Sequence, residues 1–187
     1  QNLDYPNDTG DDYENFIYKA NLAEGFSSND QLISIENIDY SGSYNSEITG
    51  DGNDNVLHGG TADDVIRAGS GNDEIHFNGG NDSLYGEDGD DYFYNNASGY
   101  AIFDGGSGSD TIFTKHNGQN FIADLDLVNG YFGADSNISD PRYDSLVSIE
   151  NFTVDTDEDV TMIGNQHDNI LETDSGNDII DGGDGND

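Results

Sequence analysis

An aspartate that returns every ninth residue constrains this chain more than any other feature. In the stretch "GTADDVIRAGSGNDEIHFNGGNDSLYGEDGDDYFY" it stands at Asp64, Asp73, Asp82 and Asp91. Two residues after each comes an apolar side chain: Ile66, Ile75, Leu84 and Phe93. Small residues, mostly glycine, fill the run before each aspartate. Such a segment reads as a turn followed by a strand of about three residues, with one apolar side chain inward. Glycine in the turn permits positive φ and close backbone approach. One segment cannot bury a core, but stacked segments can. Each strand then pairs with the strand two repeats on, in a flattened right-handed coil of two parallel sheets rising about 4.8 Å per layer.

Stacking at this period sets Asp64 next to Asp82 and Asp73 next to Asp91, a column of like charges that needs counterions. Calcium suits it, because it takes six to eight oxygen ligands at ~2.3–2.6 Å from carboxylates and backbone carbonyls. Magnesium demands a tighter octahedron and keeps its waters, and zinc and copper prefer nitrogen or sulfur.

Composition points the same way. The chain has 187 residues, with 40 acidic side chains against four basic ones (Lys19, Arg67, Lys115, Arg142), a formal net charge of −36. Hydrophobic residues make up 32%. Taken alone this sits near the disordered class. The eleven tyrosines and nine phenylalanines and the periodic apolar positions argue for an ordered state once the acid is neutralised. Nucleic acid is excluded as a partner for want of Lys/Arg clusters. No apolar run approaches the ~20 residues that span a bilayer. There is no cysteine, so thiolate metal sites and disulfides are absent.

A second period lies above the first. "LISIENI" (Leu32 to Ile38) matches "LVSIENF" (Leu146 to Phe152) at an offset of 114, which holds through to Asp187. The expected organisation is all-β, without helix: flanking strands over 1–49, a repeat block over 50–113, spacer strands over 114–163, and the start of a second block over 164–187. "NFIYKANL", "QLISIENI", "NFIADLDL" and "SLVSIENF" are rich in strand formers. Both ends read as cuts in a longer protein.

The repeats resemble the RTX (hemolysin-type) calcium-binding nonapeptide Gly-Gly-x-Gly-x-Asp-x-apolar-x. "GGSGSDTIF" (Gly105 to Phe113) matches every defined position, "AGSGNDEIH" misses one glycine, and "GGTADDVIR" has Ala62 at the fourth. "GEDGDDYFY" lacks the second glycine and "FNGGNDSLY" departs at the first two. Asn55 and Asn169 hold the aspartate position beside Asp54 and Asp168, so the first sites of each run are expected to be weaker or differently built. The resemblance implies a parallel β-roll binding four or more Ca²⁺ ions. The implied metal-site residues are Asp54, Asn55, Gly60, Ala62, Asp64, Gly69, Gly71, Asp73, Gly80, Asp82, Gly89, Asp91, Gly106, Gly108, Asp110, Asp168, Asn169, Gly176, Asp178, Gly185 and Asp187. Ions are expected between loops 59–64 and 77–82, 68–73 and 86–91, 50–55 and 68–73, and 164–169 and 182–187. It also implies an extracellular or cell-surface module that leaves a Gram-negative bacterium unfolded by type I secretion and folds in external calcium.

Other features read more plainly. No HExxH occurs and no nucleophile–base pair stands out, so the segment itself is not expected to be an enzyme. The resemblance leaves two kinds of parent open: a secreted metalloprotease, lipase or alginate epimerase, or an adhesin or surface-layer protein. Its partners are then adjoining domains of the same polypeptide, and a glycan or surface-layer contact is a further option. His58, His76 and Tyr94 are expected to stack on one face, with Tyr85 above Arg67 on the other. Asp140-Pro141 reads as a turn. In the two "SIEN" motifs Ile35 and Ile149 are expected inward, with Glu36 and Glu150 closing an edge or capping an ion.

Overall fold

The computed structural model describes residues 30–33, 37–39, 43–95, 99–116, 121–126, 130–134 and 144–187. "NFIYKANL", Ile35, Glu36 and the Asp140-Pro141 bond lie outside them. The described elements are all strands, in two sheets. The first sheet runs β1 (Asp30–Ile33), β3 (Ser46–Thr49), β5 (Val65–Ser70), β7 (Gly80–Asp88), β9 (Gly99–Ser107), β13 (Asp144–Val147), β12 (Gly130–Ala134), β11 (Phe121–Asp124), β15 (Val160–Ile163) and β17 (Ile179–Asp181). The second runs β2 (Asn37–Asp39), β4 (Val56–His58), β6 (Glu74–Phe77), β8 (Tyr92–Asn95), β10 (Thr111–Lys115), β14 (Asn151–Asp155) and β16 (Leu171–Thr173). The chain crosses from sheet to sheet at each glycine turn, which makes the all-β parallel solenoid that the period predicts.

Register follows the sequence clock. Leu57 pairs with Ile75 and Ile75 with Phe93 in one sheet, and Ile66 pairs with Leu84 in the other, each 18 residues on. The step becomes 19 from Leu84 to Phe103, because "NNASGYAIFD" holds ten residues where a repeat holds nine.

The strands carry more inward side chains than a three-residue reading allows. β7 and β9 span nine residues each. Around each strand of the first repeat run three alternate positions are buried: the aspartate or the residue in its place, the apolar residue, and the residue two further on. In the second run Leu171, Thr173 and Asp178 are only half-buried. Asp64, Ile66 and Ala68 form one such set, and Asp73, Ile75 and Phe77 another. Period-two alternation forces this once the backbone stays extended into the glycine turn.

Between β9 and β15 the first sheet takes in a meander. β13 runs parallel to β9, β12 antiparallel to both β13 and β11, and β11 parallel to β15. The second sheet advances by β14 alone over the same stretch, directly between β10 and β16. Three strands on one side therefore face one on the other, and larger side chains fill the gap. Phe103 meets Phe132 at 5.6 Å, Phe132 meets Phe152 at 5.1 Å, and Phe121 meets both at 5.9 and 6.0 Å. Phe103 also stands edge-on to Phe77 and Phe93, tying repeat core to spacer core. Phe103→Ala is expected to destabilise the calcium-loaded protein by about 3–5 kcal/mol, read from urea unfolding in saturating calcium.

Candidate metal centre

The turns fall on two edges of the solenoid. The sixth position of each repeat, at the turn–strand junction, sends its carboxylate inward. There it reaches the backbone of the coil before it. On one edge Asn55 N–H donates to Asp73 Oδ1 (2.7 Å), Asp73 N–H to Asp91 Oδ1 (2.9 Å), and Asp91 N–H to Asp110 Oδ1 (2.9 Å). On the other, Ser46 N–H and Oγ–H donate to Asp64 Oδ1 (both 2.7 Å), and Asp64 N–H to Asp82 Oδ1 (2.8 Å). In the second run Asn169 N–H donates to Asp187 Oδ1 (3.0 Å) and Val160 N–H to Asp178 Oδ1 (3.0 Å). The structure thus stacks the loop pairs expected from sequence.

The fifth position makes a reverse ladder that the sequence reading did not separate out. Its side chain accepts from the coil that follows: Asp54 Oδ1 from Asn72 N–H (2.8 Å), Asn72 Oδ1 from Asp90 N–H (3.0 Å), and Asp90 Oδ1 from Ser109 N–H (2.9 Å). Asp63 takes Asn81 N–H (2.8 Å), and Asp168 takes Asn186 N–H (2.9 Å). Adjacent Asp/Asn pairs therefore clamp neighbouring coils in both directions. The doublets "ND" and "DD" were the available signal.

Each sixth-position carboxylate has a second oxygen. Asp64 Oδ2 accepts Gly60 N–H (2.8 Å). Those of Asp73, Asp82, Asp91 and Asp110 are buried and have no hydrogen-bond partner. An ionised carboxylate is acceptor-only, so an orphaned buried oxygen requires a proton or a cation. Burial pushes Asp82 and Asp110 up to about 7 and Asp91 to about 6, with the carboxylate of the adjoining coil adding to the rise. Asp64 and Asp73 are raised too, again by burial first.

The glycines keep backbone oxygens in the same space. A Cβ on Gly86 would run into Asp91 Oδ2 and the Gly105 carbonyl. At the second position Gly69 faces the Asp51 carbonyl and Gly106 that of Glu87. At the fourth, Gly71 faces the carbonyl of Asn53, Gly80 that of Ala62, Gly89 that of Gly71, Gly108 that of Gly89, Gly176 that of Glu158, and Gly185 that of His167. All eight have φ between 99° and 146°. Among the described residues no three His, Asp or Glu side chains surround a common point. The donor set is one carboxylate per turn plus carbonyls, all hard oxygen, which fits calcium.

Some positions depart from this plan. Asn55 and Asn169 fold back on their own turns, each Oδ1 accepting a backbone N–H from Asp51 (2.9 Å) or Asn165 (2.8 Å). Asp187 is exposed and Asp178 half-buried, for no described coil stacks on them. Ala101 and Val160 stand where the second edge wants aspartate. Asp144 continues that edge, accepting Ala101 N–H (2.6 Å) and Asn95 Nδ2–H (3.3 Å), and burial pushes it up to about 7. The spacing Asp144-x-Leu146 carries the repeat's own Asp-x-apolar signature. On the outer faces His58 stacks on His76 at 3.8 Å, His76 on Tyr94 at 4.6 Å, and Arg67 lies 4.3 Å over Tyr85.

Gly89→Ala (φ 134°) is expected to cost about 1–3 kcal/mol from backbone strain alone. Glu87→Gly, at φ 78°, should shift stability the opposite way. Both are read from denaturant midpoints at fixed calcium. For metal-stripped protein, folded carboxylates above their unfolded value near 3.9 bind more protons in the folded state. Their stabilising contribution is complete below pH ~4 and is lost as pH rises through about 6 to 7. Circular dichroism of stripped protein should therefore gain β signal from pH 7.5 to 5, and calcium added at pH 5 should release protons.

No match was found among curated proteins. The family model of the RTX calcium-binding nonapeptide repeat matches in four copies, at residues 49–84, 78–97, 102–114 and 163–187. Those spans hold the aspartates whose second oxygens are orphaned on the glycine turns, and the chain carries RTX calcium-binding nonapeptide repeats.

Proposed function

We propose that this is a calcium-triggered folding module of a secreted RTX protein, ordered outside the cell and stiffened by ions held between its coils. The observation that carries the reading is the set of buried, partnerless oxygens on Asp73, Asp82, Asp91 and Asp110 in a chain of net charge −36. Without cations at neutral pH these carboxylates stay ionised only in water, which favours an expanded chain. Bound calcium supplies positive charge and a coordination shell for oxygens that the protein leaves unmatched. The sixth-position aspartates then hold adjoining turns in register, the fourth-position glycines admit the neighbouring carbonyls, and Ile66, Ile75, Leu84 and Phe93 close the core behind them. Binding free energy becomes folding free energy. An expanded low-calcium form suits passage through a type I channel, and millimolar external calcium suits folding after it.

The segment has no catalytic role in this reading. Its fifth- and sixth-position carboxylates are committed to coil-to-coil contacts, and any activity of a parent protein belongs to other parts of the polypeptide. In chelator at pH 7.5 the far-ultraviolet circular dichroism should be coil-like. Millimolar calcium should restore a β spectrum cooperatively, and equal magnesium should not. A β spectrum that survives chelation unchanged would refute the proposal.

A further inference from the structure

We infer that the turn Ser148-Ile149-Glu150 completes a divalent-cation site outside the nonapeptide motif, splicing the repeat run that ends at Phe113 to the one that starts at Gly164. The inference rests on the calcium reading above and adds a site where the family model matches nothing, between residues 114 and 163.

The geometry repeats that of the coil beneath. Asp91 Oδ2 and the Gly105 carbonyl converge on the space that a Gly86 Cβ would fill. One coil on, Asp110 Oδ2 and the Ser148 carbonyl converge in the same way on the space at Gly105. Ser148 thus stands where a repeat presents its first residue, and it holds φ 49° without being glycine. Asp110 is 0% exposed, and its Oδ2 has no hydrogen-bond partner. Two oxygens aimed at one water-poor space call for a cation.

Glu150 takes the role of the next aspartate. Its Oε2 accepts Asp110 N–H (3.0 Å), as Asp110 Oδ1 accepts Asp91 N–H. The longer side chain suits a three-residue turn in place of a six-residue one. Glu150 and Asn151 N–H both donate to the Asp110 carbonyl, at 3.2 and 2.9 Å. Above, Asn169 Nδ2–H donates to the Glu150 carbonyl (2.7 Å) and Asn165 Nδ2–H to the Ile149 carbonyl (3.0 Å). This edge therefore runs without a break through Asn55, Asp73, Asp91, Asp110, Glu150, Asn169 and Asp187. The ligands assigned are Asp110 Oδ2 and the Ser148 carbonyl, with Glu150 as positioning residue and second charge. An all-oxygen set selects calcium over transition metals.

The test counts bound calcium by native mass spectrometry and follows hydrogen exchange against calcium concentration in the full chain. In wild type, residues 148–152 should gain protection with the same calcium midpoint as 105–111. Asp110→Asn keeps the acceptor for Asp91 N–H, and Glu150→Gln keeps the one for Asp110 N–H. Asp110→Asn should bind one ion fewer. In both variants the calcium midpoint for 144–155 should rise tenfold or more, while 56–85 keeps the wild-type response. Protection at 148–152 that is independent of calcium in wild type overturns the inference even if neither variant folds. An unchanged ion count in Asp110→Asn, or an unmoved midpoint at 144–155 in both variants, overturns it as well. A wild type that binds no calcium anywhere refutes the folding proposal instead.

Discussion

A buried carboxylate with one satisfied oxygen and one bare one is the unit on which this structure depends. The satisfied oxygen fixes register by taking a backbone N–H from the coil before it. The bare oxygen sets the charge problem, since burial, with neighbouring carboxylates adding to it, holds Asp82 and Asp110 near 7. A hydrophobic core of one or two residues per strand is thin, and a formal charge of −36 opposes collapse. In the proposed function, order waits on neutralisation, by protons in acid or by hard cations at neutral pH. The same groups that align the coils thus make their alignment conditional.

Glycine serves this arrangement at particular places. At the fourth position a side chain would occupy the space where one coil's carbonyl meets the next coil's backbone, and φ lies where L-residues rarely go. Ala62 is tolerated there because its φ is not positive, and it contributes its carbonyl to the space at Gly80. Glu87 at a second position shows the fold accepting strain at an exposed site. The adjoining Asp/Asn doublet adds direction, one side chain reaching back and the other forward, so a slip by one residue would break both ladders.

The spacer belongs to the same two sheets as the repeats. Its meander inserts three strands on one side against β14 on the other, and phenylalanines take over from isoleucine and leucine where the sheets draw apart. The outer strip of His58, His76 and Tyr94 and the Arg67–Tyr85 contact follow directly from the 18-residue register. Asp144 extends one edge ladder into the spacer, and Glu150 carries the other across it, although neither sits in a nonapeptide.

The sequence by itself determined the parallel stack, the pairing of residues 18 apart, the inward line of Ile66, Ile75, Leu84 and Phe93, and the columns of aspartate. Those properties are local and periodic, so a one-dimensional pattern carries them. Only the tertiary structure decided which oxygen of each carboxylate is bare, that the first residue of each repeat also points inward, and that Asp110 meets Glu150 forty residues on. These depend on where strands of unequal length and an irregular meander come to lie, and no fixed spacing along the chain encodes that.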